Sequence, residues 1–448
     1  MDLKKVHNVY FIGIGGIGMS SLANYFNCNG KNVAGFDKTP TELTGSLQKM
    51  GIQVHFEDAV ELIPAEFNNN QNTIVIYTPA VPKNHAEFNY FLNHNFTVLK
   101  RSEILGEITK NTICLAVAGT HGKTTTSTML GHIMKEAGTN ATSFLGGIAE
   151  NYQSNLILGG SEVSVVEADE FDRSFLRLSP TIAGITSMDA DHLDIYGEHS
   201  ALEDSFKEFA KKVSKTLIVK KGLPIEALTF GIEEQADFDA QNIRIVDGAY
   251  VFDVKTPSDE IKNVKIYLPG RHNVLNAVAA LAMANSYGIP LQVIAKALLS
   301  FKGIKRRFSY KINTENLVLI DDYAHHPTEI NAVVNSVREL YPTKQILGVF
   351  QPHLFSRTRD FIDDFAASLS QFDEVILLDI YPARELPIEG VNSEWLLSKI
   401  SIENKQISTK ENLVENMLKS PTQIKVIIGA GDIGELVENI KNKLTVES

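Results

Sequence analysis

Short apolar runs alternate with stretches of helical periodicity along most of the chain. Between residues 9 and 100 the runs VYFIGI, NVAGF, TIVIYTPA and TVLK read as strands, while MSSLANYF, ELTGSLQKM and EFNYFLNH read as helices. Strands alternating with helices predict βαβ units around a parallel sheet. The pattern restarts at TICLAVAGTHGKTTTSTMLGHIMKEAG, where an apolar run turns through glycines into a helix. It continues through SEVSVVEA, TIAGITSM and a helix over EDSFKEFAKKV, and closes with NVLNAVAALAMANSYG and the turn FKGIKRRF. A third alternation follows in NLVLID, QILGVF, EVILLDI and KVIIGAG. The expected fold is therefore α/β with three domains: a Rossmann-like unit over 1–104, a central P-loop unit with a parallel sheet over 105–308, and a second Rossmann-like unit over 309–448.

Each segment carries a glycine loop where a strand pattern meets a helix pattern. Gly13, Gly15 and Gly18, with Gly16 and Ile17 between them, fit G-x-G-x-x-G, and the next strand ends in Asp37, at about the spacing that places an acid for a ribose hydroxyl. This predicts a nucleotide site without naming the nucleotide. A second fingerprint, Gly429, Gly431 and Gly434, lacks a following strand with an acid, so a structural turn and an anion contact both stand there.

The loop GTHGKTTT narrows the chemistry. In a P-loop, glycines let backbone N–H groups face phosphates, a lysine neutralises the β and γ oxygens, and the next Ser or Thr ligates Mg²⁺. Gly119, Thr120, His121, Gly122, Lys123, Thr124 and Thr125 supply such a loop for ATP, although Val117 stands where the first glycine of the usual spacing falls. A P-loop metal needs carboxylates from a neighbouring strand end. VSVVEADEFD offers Glu167, Asp169, Glu170 and Asp172; the first of them, Glu167, is the expected Mg²⁺ ligand, against the alternative of an acidic loop facing water. In SMDADHLDIYG, His192 beside three aspartates reads either as a metal ligand or phosphoryl positioner, or as an ordinary loop histidine.

Length, charge and cysteines set limits. At 448 residues, and about 150 per domain, two to four domains are expected. A formal charge of -12 argues against nonspecific binding to nucleic acid or anionic lipid, so an anionic ligand must be held by local donors. No run approaches the roughly 18 apolar residues that would cross a bilayer. MDLKKVHN leads straight into the first strand without room for a signal peptide, which makes the expected location cytoplasmic. Cys28 and Cys114 are expected to be two buried small side chains.

Taken in order, GIGGIGMSSLA, AVAGTHGKTTT, VVEADEFDRSFL, MDADHLDIYG, GRHNVLNAVAA, DDYAHHPTEI and FQPHLFSRTRD resemble the Mur ligases over nearly the whole chain. The resemblance implies an ATP-dependent amide synthetase with UDP-N-acetylmuramate and L-alanine as substrates and Mg²⁺, or Mn²⁺ in its place, as metal. Its first domain would hold the UDP-sugar, its second ATP and metal, and its third would close over ATP and the amino acid, in a monomer or homodimer. By the same resemblance His272 and Asn276, four apart on one helix face, would meet adenine; Arg307 would contact phosphate; Asp322 would meet the ATP ribose. His326 and Arg357, with His353, would serve the amino acid or acyl phosphate, and Leu354 stands where many relatives have arginine. Lys207 is expected to be an ordinary exposed helix lysine rather than a carbamylated metal bridge. Two other readings remain at this point: a tripeptide-adding ligase acting on the same sugar nucleotide, which usually carries extra sequence after EADE, and an NAD-dependent oxidoreductase resting on the two G-x-G-x-x-G loops.

Overall fold

The computed structural model describes residues 3–189, 199–383 and 385–447. Three sheets organise the described residues. The first is wholly parallel, with strands in the order Gln53–His55, Asn32–Phe36, Asn8–Ile12, Thr73–Tyr77 and Thr97–Lys100. Its central strand Asn8–Ile12 is buried at every position, as a parallel strand covered on both faces must be. Met19, Leu22, Ala23 and Phe26 bury one stripe of the helix Ile17–Cys28, at the spacing of an amphipathic helix.

The second sheet has ten strands. Its centre runs Thr216–Lys220, Ile182–Ile185, Ile113–Ala118, Val163–Ala168 and Ala141–Ala149, all parallel, and Ser154–Ile157 closes one edge as an antiparallel partner. The third sheet orders Ser309–Asn313, Val318–Asp322, Ile424–Ile428, Ile346–Phe350, Glu374–Leu377 and Lys405–Ile407, with only the first strand antiparallel. Contacts divide the chain into two units. One holds residues through Arg244 with Val251–Lys265 and Leu275–Lys302; the other holds Gly303 onward with Ile245–Tyr250 and Ile266–Val274. The helix Arg101–Thr109 crosses the seam expected at residue 104.

Two elements of the second sheet have no counterpart in the expected strands. The hairpin of Ala141–Ala149 with Ser154–Ile157, and the strands from Leu228 to Ile266, carry weak patterns. Glu260–Ile266, for example, exposes three of its seven residues in a charged, irregular alternation with only Val264 and Ile266 buried. The cysteine expectation holds for Cys114 and fails for Cys28, which is exposed near the end of its helix and donates to Asn24 Oδ1 at 3.2 Å.

A buried polar cluster sits in the first domain. Tyr10 Oη donates to Glu87 Oε2 at 2.7 Å and lies 2.8 Å from His55 Nε2. Asp58 accepts from the Ala86 and Glu87 amides and lies 3.0 Å from His85 Nδ1. Burial pushes the fully enclosed Glu87 carboxyl up to about 7.

Candidate active site

The first glycine loop follows a buried strand and opens a helix whose N-cap, Gly16, brings no side-chain cap. Gly13 has φ +86°, and a Cβ there would lie 2.7 Å from Thr78. The Gly15 amide donates to Asp37 Oδ2 at 2.7 Å, while Asp37 Oδ1 accepts from the Thr39 amide at 3.2 Å. The acid expected for a ribose thus sits on the loop itself. At Gly18, a Cβ would meet the Arg101 guanidinium at 2.9 Å, so the third glycine makes room for a cation.

From this loop a cavity of about 300 Å³ runs past Gly18, Thr78 and Arg101 to Gly146, Glu167 and Asp169. Arg101 reaches Asp169 at 3.7 Å. One cavity therefore connects the first glycine loop to the acids beside the second.

The P-loop is braced from the adjoining strand Ile182–Ile185. Gly119 has φ +133°, and a Cβ there would overlap the Thr186 hydroxyl and crowd the Ser187 amide at 2.8 Å. The Thr120 amide donates to the Ser187 carbonyl at 3.3 Å, its hydroxyl pairs with Ser187 Oγ at 2.9 Å, and the His121 amide donates to Ser187 Oγ at 2.7 Å. Gly122 has φ +79°, and its missing side chain leaves room for the Asn276 carboxamide, whose oxygen accepts from Thr126 Oγ1 at 3.3 Å. Asn276 thus braces this loop from the helix Arg271–Tyr287. Thr125 is buried behind it.

At the loop's end the helix Lys123–Glu136 begins. Lys123 Nζ donates to the Gly119 carbonyl at 2.7 Å and pairs with Glu170 at 2.8 Å. Thr124 Oγ1 donates to Glu167 at 3.0 Å. Two oxygens each about 2.1 Å from Mg²⁺ at adjacent octahedral positions lie about 3.0 Å apart, so Thr124 and Glu167 match that edge as they stand, and both are the hard oxygen donors Mg²⁺ selects. The register Val117 to Glu167 explains the meeting: both strands reach the sheet's carboxyl edge together. His192 lies outside the described residues. Lys207 lies 3.5 Å from both Glu203 and Asp204 on its own helix, as an ordinary surface lysine does.

The second unit holds the other expected residues. His272 is pushed down to about 4 by burial and by the neighbouring Arg307 charge. Arg307 lies over the Tyr323 ring at 5.2 Å and 3.9 Å from Glu329. Asp322 is buried, accepts from the Phe308 and Ala324 amides at 2.6 and 2.8 Å, and is pushed up to about 6 by burial. Of the histidine pair, His326 is the buried N-cap of the helix Pro327–Leu340, accepting from the Thr328 amide at 3.3 Å. His325 is the partly exposed one; its ring lies 6.0 Å from that of His353, and Arg357 acts on both through its charge. Leu354, between His353 and Arg357, has φ +73°. The second glycine fingerprint is a structural turn: Gly431 admits Tyr381, Gly434 admits the Arg306 guanidinium, and Arg306 donates to the Gly429 carbonyl at 2.6 Å.

Sequence reasoning passed over Arg101, Gly146 and the role of Glu170. Glu170 stood among four acids whose order along the chain does not reveal which meets Thr124 and which turns to the lysine. A single arginine in KRSEIL carried no periodic or motif signal.

Three family models match the chain in series: "Mur ligase family, catalytic domain" over 8–112, "Mur ligase middle domain" over 117–284, and "Mur ligase, glutamate ligase domain" over 306–432. The chain belongs to the Mur ligase family. Two relatives of this Mur ligase are named UDP-N-acetylmuramate--L-alanine ligase. That of Flavobacterium psychrophilum is 62% identical over 99% of both chains, and that of Christiangramia forsetii is 60% identical over 100% of both. The crystal structure of UDP-N-acetylmuramate-alanine ligase MurC from Thermotoga maritima superposes with a TM-score of 0.84 at 26% identity, covering 98% of this chain and 100% of that one. A murein peptide ligase from Psychrobacter arcticus, at 22% identity and TM-score 0.72, shares the fold.

Proposed function

We propose that this Mur ligase joins L-alanine to the lactyl carboxylate of UDP-N-acetylmuramate, using ATP and passing through an acyl phosphate, in the cytoplasm and at an early step of peptidoglycan synthesis. The observation that carries the site assignment is the cavity linking Gly16–Gly18 to Glu167. A UDP-sugar held at the first loop would send its acid toward the P-loop. The alanine-adding reading rests on the full-length identity to ligases of that name, and neither the tripeptide-adding reading nor the oxidoreductase reading has an observation in its favour.

A carboxylate is a poor electrophile because oxide is a poor leaving group. Phosphorylation of the lactyl carboxylate by ATP supplies a better one, and the amine of alanine then displaces phosphate. The first step is mostly positioning and charge neutralisation. Gly119–Thr125 would surround the phosphates, with Lys123 on the β and γ oxygens. Thr124 and Glu167 would hold Mg²⁺, which when bound neutralises charge on the transferring phosphoryl group. Residues 1–104, 105–308 and 309–448 would serve the sugar nucleotide, ATP and the amino acid in turn. On the amino acid side His325, His353 and Arg357 form the partly exposed cluster, and His326 contributes by capping the helix behind it.

The test is ADP release in a coupled assay containing UDP-N-acetylmuramate, ATP and Mg²⁺, run with L-alanine and separately with the tripeptide L-alanyl-γ-D-glutamyl-meso-diaminopimelate. Turnover with L-alanine is expected. Turnover with the tripeptide alone would overturn the assignment.

A further inference from the structure

Lys123 has a flexible four-carbon stem, yet its ammonium is held closely at two points and loosely at a third. The Gly119 carbonyl accepts at 2.7 Å, and Glu170 takes the other side with its two oxygens at 2.9 and 2.8 Å. An ammonium has three N–H groups; the Gly119 carbonyl and the Glu170 carboxylate hold it at short range, and the Thr120 carbonyl at 3.5 Å is the long, weak contact that a phosphate oxygen would displace. Glu170 is fully buried, with none of its side chain exposed. It lies just past a strand end: Ala168 pairs with Ala118 at the end of the sheet, and two residues later the chain has carried Glu170 to Lys123 at the end of the P-loop.

The loop bearing Glu170 is fixed. The Phe175 amide and the Ser174 hydroxyl donate to the Asp169 carbonyl at 2.9 and 3.0 Å, and the Arg173 amide donates to the Glu170 carbonyl at 2.9 Å. Asp172 and Arg173 both adopt φ +52°, a left-handed conformation that persists only where surrounding contacts over-determine it. The neighbouring acids are engaged elsewhere: Asp169 with Arg101 at 3.7 Å, Asp172 with Lys100 at 3.3 Å, Glu167 with Thr124. Of the four acids, Glu170 is the one on the lysine.

We infer that Glu170 is a positioning residue for phosphoryl transfer, a buried carboxylate that aims the Lys123 ammonium at the transferring phosphate while cancelling part of its charge toward bound nucleotide. The inference rests on the reading of GTHGKTTT as an ATP site. Its consequence is a trade. A lysine already paired offers nucleotide a dipole in place of a net charge, so ground-state binding is weaker than it would otherwise be. The same pairing removes rotamer freedom that would misplace the N–H by an ångström, the scale of error that costs about a hundredfold in rate.

Two variants separate charge from placement. Glu170→Gln keeps the shape and an acceptor but removes the charge: ATP and ADP should bind about fivefold tighter or more, while kcat falls about tenfold or more. Glu170→Asp keeps the charge and withdraws it by one methylene: kcat should fall by a similar factor while ADP affinity stays within about twofold. In a Lys123→Met background, adding Glu170→Gln should leave ADP affinity unchanged, because the carboxylate acts through the lysine. Binding is read by calorimetry on the full chain and turnover by coupled ADP release. Unchanged or weaker nucleotide binding in Glu170→Gln, full kcat in Glu170→Asp, or an equal Glu170→Gln effect with and without the lysine would each overturn the inference. If the wild-type chain itself binds neither nucleotide, the ATP reading fails instead, and the titration of wild-type protein shows which has failed.

Discussion

Gly146 offers a way to test Glu167, the acid proposed to hold Mg²⁺, without touching it. The residue lies on the strand Ala141–Ala149, and its φ is not in the left-handed region, so alanine there meets no backbone strain. Space is the obstacle. A Cβ would overlap one Glu167 carboxylate oxygen outright, lie 2.7 Å from Glu167 Cδ and 3.0 Å from Thr124 Oγ1, where ordinary contact begins at 3.4 Å. The Glu167 Cδ must retreat by at least the difference, and the overlapped oxygen by more, which moves the carboxylate by about an ångström and opens the Thr124–Glu167 edge. Displacement on that scale costs about a hundredfold in rate. Stability should change little: reduced unfolded-state entropy stabilises by about 0.4–1 kcal/mol, against an overpacking cost of about 1–3 kcal/mol that the edge of a cavity relieves. The assay is ADP release against Mg²⁺ concentration, with Tm measured in parallel. Gly146→Ala should lower kcat about a hundredfold and raise the Mg²⁺ needed for half-maximal rate. Gly45→Ala, at a helix glycine with nothing within 4 Å, is the control and should leave turnover alone. Wild-type turnover and Mg²⁺ dependence in Gly146→Ala would refute the placement of the metal at Thr124 and Glu167.

Lys123→Ala should lower turnover by several powers of ten with the fold intact, checked by coupled ADP release and circular dichroism. Glu87 is held at about 7 against an ordinary 4.5; the folded state therefore binds the extra proton between those values, and its stability falls as pH rises through that window. Glu87→Gln should accordingly show a Tm advantage over wild type that is absent at pH 4, grows between pH 4.5 and 7, and stays level at pH 8. His353 is pushed down to about 4 by burial, His325 and Arg357. Here the unfolded chain takes up the proton first, so the contribution is complete above pH 6.5 and is lost as pH falls toward 4. His353→Gln should flatten the acid side of the Tm–pH curve, and an unchanged slope between pH 6.5 and 4 would reject this.

The local grammar of strand, glycine turn and helix was readable along most of the chain because buried parallel strands are nearly continuous apolar runs. Gly13–Gly18 and Gly119–Lys123 stand where that grammar puts them, and Glu167 meets Thr124 because two adjacent strands end level. Exposed strands such as Glu260–Ile266 were illegible for the opposite reason: one solvated face and irregular charges leave no period to read. The two glycine fingerprints also show the limit of a motif. At 13–18 the glycines border a cavity, whereas at 429–434 they clear room for Tyr381 and Arg306. Spacing alone is the same in both. Nor does order in a short motif choose between His325 and His326, since the helix that begins at Pro327 decides which ring becomes its cap and which faces His353.

Because Asp37 already sits on the Gly15 amide, the first glycine loop is furnished with an anion of its own making. Stray phosphate or sulfate must compete with a tethered carboxylate and gains little by winning, whereas a ligand that also engages the rest of the cavity has other contacts to offset the exchange. On the proposed assignment of this loop to the sugar nucleotide, selectivity against the abundant small anions of a cell is built into the resting loop, and high concentrations of inorganic phosphate should inhibit this enzyme only weakly there.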